Sequence, residues 1–115
     1  MLNTVNQVIL HGNLGNDPKL IETDKTTFME LSVATDKPIS VNDDGKLKTI
    51  TEWHKVLVFN TAVIEKIKGF GLSKGSKVRV DGSLEYRTRE IRDSQGEVIA
   101  KVKEASVIAG RVLPL

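Results

Sequence analysis

The hydrophobic period of this chain changes once along its length. Before Phe59 and after Val78, apolar residues recur mostly at every second position, the mark of strands with one face against a core. Between those stretches Asn60 can cap a helix, and Val63, Ile64 and Ile67 fall at spacings of three and four before Gly69 stops it. That helix is short, and its apolar stripe needs a partner. It must sit on whatever the strands build.

Val5 to Leu14 reads as the first strand, with Val8, Leu10 and Leu14 in the apolar phase. Gly12 and Gly15 interrupt it and suggest a bulge or sharp bend, and Asn16-Asp17-Pro18 is a turn signal. Thr27 to Thr35 alternates cleanly, Phe28, Glu30, Ser32 and Ala34 against Met29, Leu31 and Val33. Residues 36–50, with Pro38, Asn42-Asp43-Asp44-Gly45 and three Lys, read as a long polar hairpin loop leading to a third strand around Trp53. After the helix, Val78, Val80 and Leu84 open a fourth strand running through Tyr86 to Ile91. Asp93-Ser94-Gln95-Gly96 turns the chain into a fifth, Val98 to Ile108. The expected domain is residues 1–110, with 111–115 a short, loose end. Three strands, one helix and two strands match an all-β, five-stranded Greek-key OB barrel, its helix between strands 3 and 4 plugging an open end. An SH3-like barrel and a small α+β sheet are the alternatives; the helix position favours the OB barrel.

Thr51-Glu-Trp-His-Lys-Val-Leu-Val-Phe59 holds the only Trp. Strict alternation puts Trp53, Lys55, Leu57 and Phe59 on one side and His54, Val56 and Val58 on the other. Aromatics beside a cation on a polar face make a platform for unpaired bases. Trp53 and Phe59 can equally be core residues, because aromatics fill cores as readily as binding sites.

At 115 residues the chain can bury one core, and with no Cys it forms neither disulfides nor thiolate metal sites. No apolar run suits a membrane helix and the N-terminus lacks the shape of a signal peptide, so a cytosolic protein without a membrane partner is expected. Net charge is only +2, but residues 1–30 carry two Lys against four acidic groups, whereas 74–103 carry eight Lys or Arg against five. The basic excess therefore sits mainly in Arg87, Arg89, Arg92, Lys101 and Lys103, although a charged hairpin face is usually just solvated. Gly12-Asn-Leu-Gly15 lacks the Gly-Lys-Ser/Thr of a phosphate loop, and His11 and His54 lack partners at ligand spacing. Asp43-Asp44-Gly45 lacks the later ligands of a calcium loop. Neither a metal, a cofactor nor a catalytic constellation is expected.

Five blocks carry a resemblance. Asn6-Gln-Val-Ile-Leu-His-Gly-Asn-Leu-Gly-Asn-Asp-Pro18, Leu31-Ser-Val-Ala-Thr35, Thr51-Glu-Trp-His-Lys55, Lys74-Gly-Ser-Lys-Val78 and Val80-Asp-Gly-Ser-Leu84 closely resemble the bacterial single-stranded DNA-binding protein family. The similarity runs from about Asn6 to Ile108. It implies an OB barrel, not an enzyme, that coats single-stranded DNA in replication, recombination and repair, commonly as a homotetramer, in the cytoplasm with the nucleoid. It implies Trp53 and Phe59 as base stackers and Lys55, Lys74, Arg87 and Arg89 as phosphate partners, with Lys46 and Lys48 weaker candidates. His54 matches a subunit contact.

Two departures stand out. The positions of a third and fourth family aromatic hold Ile39 and Ile91, and Glu90 stands where the family favours a basic residue. The family's Gly/Pro/Gln-rich linker and acidic tip, which recruits replication and repair proteins, have no counterpart before Leu115. A core cut from a longer protein and a naturally short member both fit. The resemblance also admits a replication-restart accessory protein acting through protein contacts; the retained Trp53–Phe59 pair argues for DNA binding.

Overall fold

The computed structural model describes residues 3–115. Residues 1 and 2 of the expected 1–110 domain lie outside the described residues. The strands are β1 (Val8–Leu14), β2 (Lys19–Glu22), β3 (Thr27–Val41), β4 (Leu47–Val58), β5 (Lys77–Arg92) and β6 (Val98–Pro114), with helix α1 (Thr61–Phe70) between β4 and β5. The sheet order is β1-β5-β6-β4-β3-β2, and β1 also pairs with β3 through Asn13↔Ala34 and Leu14↔Val33. That second pairing closes the barrel. Since β1 and β2 are two halves of one bent strand around Asn16 and Asp17, the architecture is the expected five-stranded OB barrel with one helix.

Closure of β1 onto β3 depends on Gly12. A Cβ on Gly12 would sit 2.2 Å from the Ala34 carbonyl oxygen, so only a glycine lets β1 swing from β5 onto β3. The interior fills with the apolar phase of each strand: Leu14, Met29, Leu31, Val33, Val56, Val58, Val78, Val80 and Val107. Ile64 and Ile67 of α1 join them, so the helix plugs one end of the barrel as its stripe requires. Asn60 caps the helix through its side-chain oxygen, bonded to the N–H groups of Ala62 and Val63. The helix passes Gly69 and ends at Gly71, whose φ of 68° supplies the left-handed cap.

Two expectations change. Residues 36–50 are not a loop: β3 runs to Val41, β4 starts at Leu47, and only 42–46 turn. Their polar composition reflects exposure on both faces; backbone pairing holds the ladder, helped near its base by the Thr51 hydroxyl donating to Asp36 and by the Lys37–Glu52 ion pair. The end is not loose either. Val112, 3% exposed, pairs with Val80, so residues 111–114 complete the barrel. The radius of gyration is 17.1 Å, against about 13 Å for a compact domain of this length. The excess comes from the β3–β4 and β5–β6 hairpins, whose exposed outer halves project from the barrel. No helix among the described residues is long and apolar enough to cross a membrane.

Candidate nucleic-acid interface

The register of β3 against β4 sorts the side chains. Val33↔His54 and Leu31↔Val56 point inward, and Leu31, Val33 and Val56 are core residues. The alternate pairs Ala34↔Trp53, Ser32↔Lys55 and Glu30↔Leu57 therefore point outward. Trp53 is 61% exposed, so it is no core aromatic. Leu57 is buried yet stands outside the interior cluster, as the covered member of the outer row.

Phe59 is half-buried, and its cover belongs to the same outer wall. Its ring lies 5.3 Å from that of Phe28, tilted by 33°, and the Arg87 guanidinium carbon stands 5.5 Å from its centroid. Those are ordinary ranges for an aromatic pair and a cation–π contact. Phe28 belongs with the candidate residues, and sequence reasoning did not single it out. The signal was there: Phe28 alternates with Glu30, Ser32 and Ala34, an aromatic on a polar face.

The cations differ in how free they are. Among the described residues, Lys55 and Lys74 make no ion pair. Arg87 bonds Glu85 at 3.1 Å and Arg89 bonds Glu104 across the hairpin at 2.5 Å. Glu90 bonds Arg92 at 2.5 Å. Alternation along β5 puts Glu90 on the face opposite to Arg87 and Arg89, beside Tyr86 and Thr88. Glu90 is therefore paired with Arg92 on the far face and, among the described residues, makes no ion pair with Arg87 or Arg89.

Lys74 sits in the turn after α1. Its N–H donates to Asp17 Oδ1 at 2.8 Å, and the Gly75 N–H donates to the Leu14 carbonyl at 2.8 Å. The turn is thus tied to the corner after β1. Lys46 and Lys48 lie at the far end of the β3–β4 hairpin, Lys46 in its turn and Lys48 opposite Ser40. Lys48 is about 17 Å along the strand from Trp53. Ile39 is exposed beside a register shift, and Ile91 is half-buried opposite Ala100. His54 belongs to the inner phase, half-buried, its Nε2 2.8 Å from the Thr35 hydroxyl. The structure thus gathers Trp53, Lys55, Phe59 and Arg87, with Phe28, on one wall. Arg89, Lys46 and Lys48 extend from it along the hairpins, Lys74 marks a corner, and His54 stands apart.

Fold and wall together define an OB-fold module with an open aromatic and cationic face. The chain belongs to the Single-strand binding protein family, whose pattern matches residues 5–114. It is 34% identical over 98 residues to the Single-stranded DNA-binding protein of Rickettsia felis, covering 84% of this chain and 62% of that one. To that of Xylella fastidiosa it is 34% identical over 114 residues, covering 96% and 68%. The chain thus spans about 62% of the first relative's length. Among solved structures, the Plasmodium falciparum SSB complex with ssDNA superposes with a TM-score of 0.77 at 22% identity, covering 100% of this chain and 98% of that one. A deletion mutant of the single-stranded DNA binding protein from Thermus aquaticus gives 0.65 at 24% identity, over 96% and 50%. At these identities the likeness concerns the fold.

Proposed function

We propose that this chain binds single-stranded DNA without reading its sequence, holding and protecting the strand in replication, recombination and repair, and catalyses no reaction. The observation that carries this is the exposure of Trp53 on one outer wall with Lys55, Phe59 and Arg87. A single strand offers unpaired base faces and a uniform row of phosphates, whereas a duplex hides the faces in its stack. Aromatic rings and cations in one row suit the first and discriminate against the second. Every base has a π-face, so the preference for sequence is weak. Trp53 and Phe59 stack bases, Phe28 supports the Phe59 ring, and Lys55, Lys74, Arg87 and Arg89 meet phosphates, with Lys46 and Lys48 extending the track. The relatives' names, which describe single-stranded DNA binding, support the reading.

The sole Trp makes the test direct. Adding poly(dT) quenches Trp53 fluorescence, less so as salt rises, and duplex competes poorly. An unquenched signal, or duplex that displaces the protein as well as poly(dT) does, overturns the proposal.

The same proposal includes assembly as a homotetramer, a dimer of dimers. Support comes from a free strand edge: β1 meets β3 only at Asn13 and Leu14, so Val8–Gly12 has one unpaired side among the described residues. Thr35, the partner of His54, helps line the 260 Å³ cleft beside that edge with His11 and Asp36. An isologous contact repeats each residue across the two-fold axis, so His54→Tyr acts twice and lowers the assembly state. Light scattering that finds a wild-type monomer at micromolar concentration removes this part of the reading.

A further inference from the structure

Gly15 is the one feature of the Gly12-Asn-Leu-Gly15 segment that the barrel does not account for. Its φ lies outside the left-handed region, unlike those of Gly45, Gly71, Gly75 and Gly96, so its backbone conformation does not call for glycine. Its surroundings do. A Cβ on Gly15 would lie 2.2 Å from Trp53 Cζ3, 3.0 Å from Cη2 and 3.1 Å from Cε3. So steep a rise from one ring atom to its two neighbours means an approach close to the ring plane; an approach over the face would leave the three distances closer together.

Trp53 starts on β4, and β3 lies between it and the corner that holds Gly15. The Gly15 N–H is bonded to the Ser32 carbonyl at 2.8 Å, which fixes that corner against β3. The indole therefore crosses β3, beside its small partner Ala34, and docks its far edge where Gly15 has no side chain.

We infer that Gly15 is a positioning residue for base stacking: the missing Cβ is the seat for the indole edge, which holds the ring across β3 with its face towards the strand being bound. This rests on the proposed single-strand binding. The ring is largely exposed at the end of a flexible side chain, so a methyl group at position 15 displaces the ring rather than the backbone. Fold and assembly stay intact and the platform is lost.

The test is a double-mutant cycle on labelled oligo(dT), read by anisotropy. Losing a stack through Trp53→Ala weakens binding about 5- to 150-fold. Gly15→Ala is expected to approach that loss, with the thermal midpoint and the salt slope unchanged and with altered Trp53 emission in the free protein. Trp53→Phe lacks the outer ring atoms that meet Gly15, so adding Gly15→Ala to it is expected to cost nothing further. Wild-type affinity in Gly15→Ala overturns the inference, as do additive losses in the cycle. A lowered thermal midpoint that accounts for the lost binding does so too. Failure of the parent reading looks different: the wild-type chain itself then does not bind oligo(dT).

Discussion

The barrel wall at β4 and the projecting β5–β6 hairpin both carry basic residues, but they hold them differently. On the wall, Lys55 stands beside Trp53 without an acidic partner among the described residues. On the hairpin, Arg87, Arg89 and Arg92 each bond a glutamate within the chain. Along the row of Arg87 and Arg89 every cation is matched, while the hairpin's Lys101 and Lys103, unmatched among the described residues, lie on the opposite face, across from Glu90 and Thr88. On the wall, Lys55 is unmatched on the face that carries Trp53. Counting Lys and Arg along the sequence overstates the hairpin, because a matched arginine must leave its carboxylate before it gains a phosphate.

The largest expected effect tests the wall alone. Trp53→Ala costs about 1–3 kcal/mol of single-strand affinity, with the salt slope nearly unchanged, because a stack releases no counterion. Titrations of a labelled oligonucleotide at several salt concentrations measure both quantities. If affinity holds at equal stability, the wall is not the platform and the comparison collapses.

The next two effects set wall against hairpin. Lys55→Ala is expected to flatten the plot of log K against log salt by about 0.7, the loss of one neutralised phosphate. Arg89→Ala is expected to flatten it less, since Glu104 already matches that charge. Glu104→Gln is the sharper variant. It leaves Arg89 unpaired, and because an exposed ion pair is worth about 0–1 kcal/mol the hairpin stays folded. Stronger binding and a steeper slope are expected. Equal slopes for Lys55→Ala and Arg89→Ala, with no gain from Glu104→Gln, would mean that the intrachain pairs do not mask the hairpin.

What the sequence disclosed followed what strand periodicity can carry. The inward phase of β3, the Asn60 cap and the shared side of Trp53, Lys55, Leu57 and Phe59 were legible, because alternation and capping are local; that this side faces outward came only from the register against β3. The lengths of the hairpins were not: residues 36–50 look like a loop because a strand exposed on both faces keeps no apolar phase. The end of the final strand was hidden for a different reason: Gly110 and Arg111 precede Val112, whose burial only the pairing with Val80 makes plain. Arg89 and Glu104 lie 15 residues apart, and no spacing rule joins them without the register of β5 on β6. The role of Gly15 needed the third dimension altogether. A glycine at the end of a strand reads as a bend, and nothing local reveals an indole arriving from two strands away.

The smallest expected effect concerns a third set of charges, at the base of β5 and β6. Asp81 bonds Arg79 at 2.9 Å and approaches Arg111 of β6 at 3.4 Å, and its side chain is 23% exposed, against 41–46% for the hairpin glutamates. The hydrogen bond from Arg79 comes first, with its charge and that of Arg111 adding to it, and together they hold the Asp81 carboxyl below its usual range. A depressed carboxyl stabilises the fold while it is ionised. Its contribution is complete above the unfolded-chain value of about 3.9 and fades as pH falls through the lower folded value. Asp81→Asn is therefore expected to lower the urea midpoint by a constant amount from about pH 5 to pH 8, and by less as pH falls below about 4, where the unfolded chain's carboxyl is neutralised first and the folded one at lower pH. Oligo(dT) affinity at neutral pH is expected to stay at the wild-type value, because Asp81 lies on β5 well below Arg87 and Arg89. A midpoint difference that stays the same from pH 7 to pH 3 would show that the side chain's shape, not its charge, secures this end of the two strands.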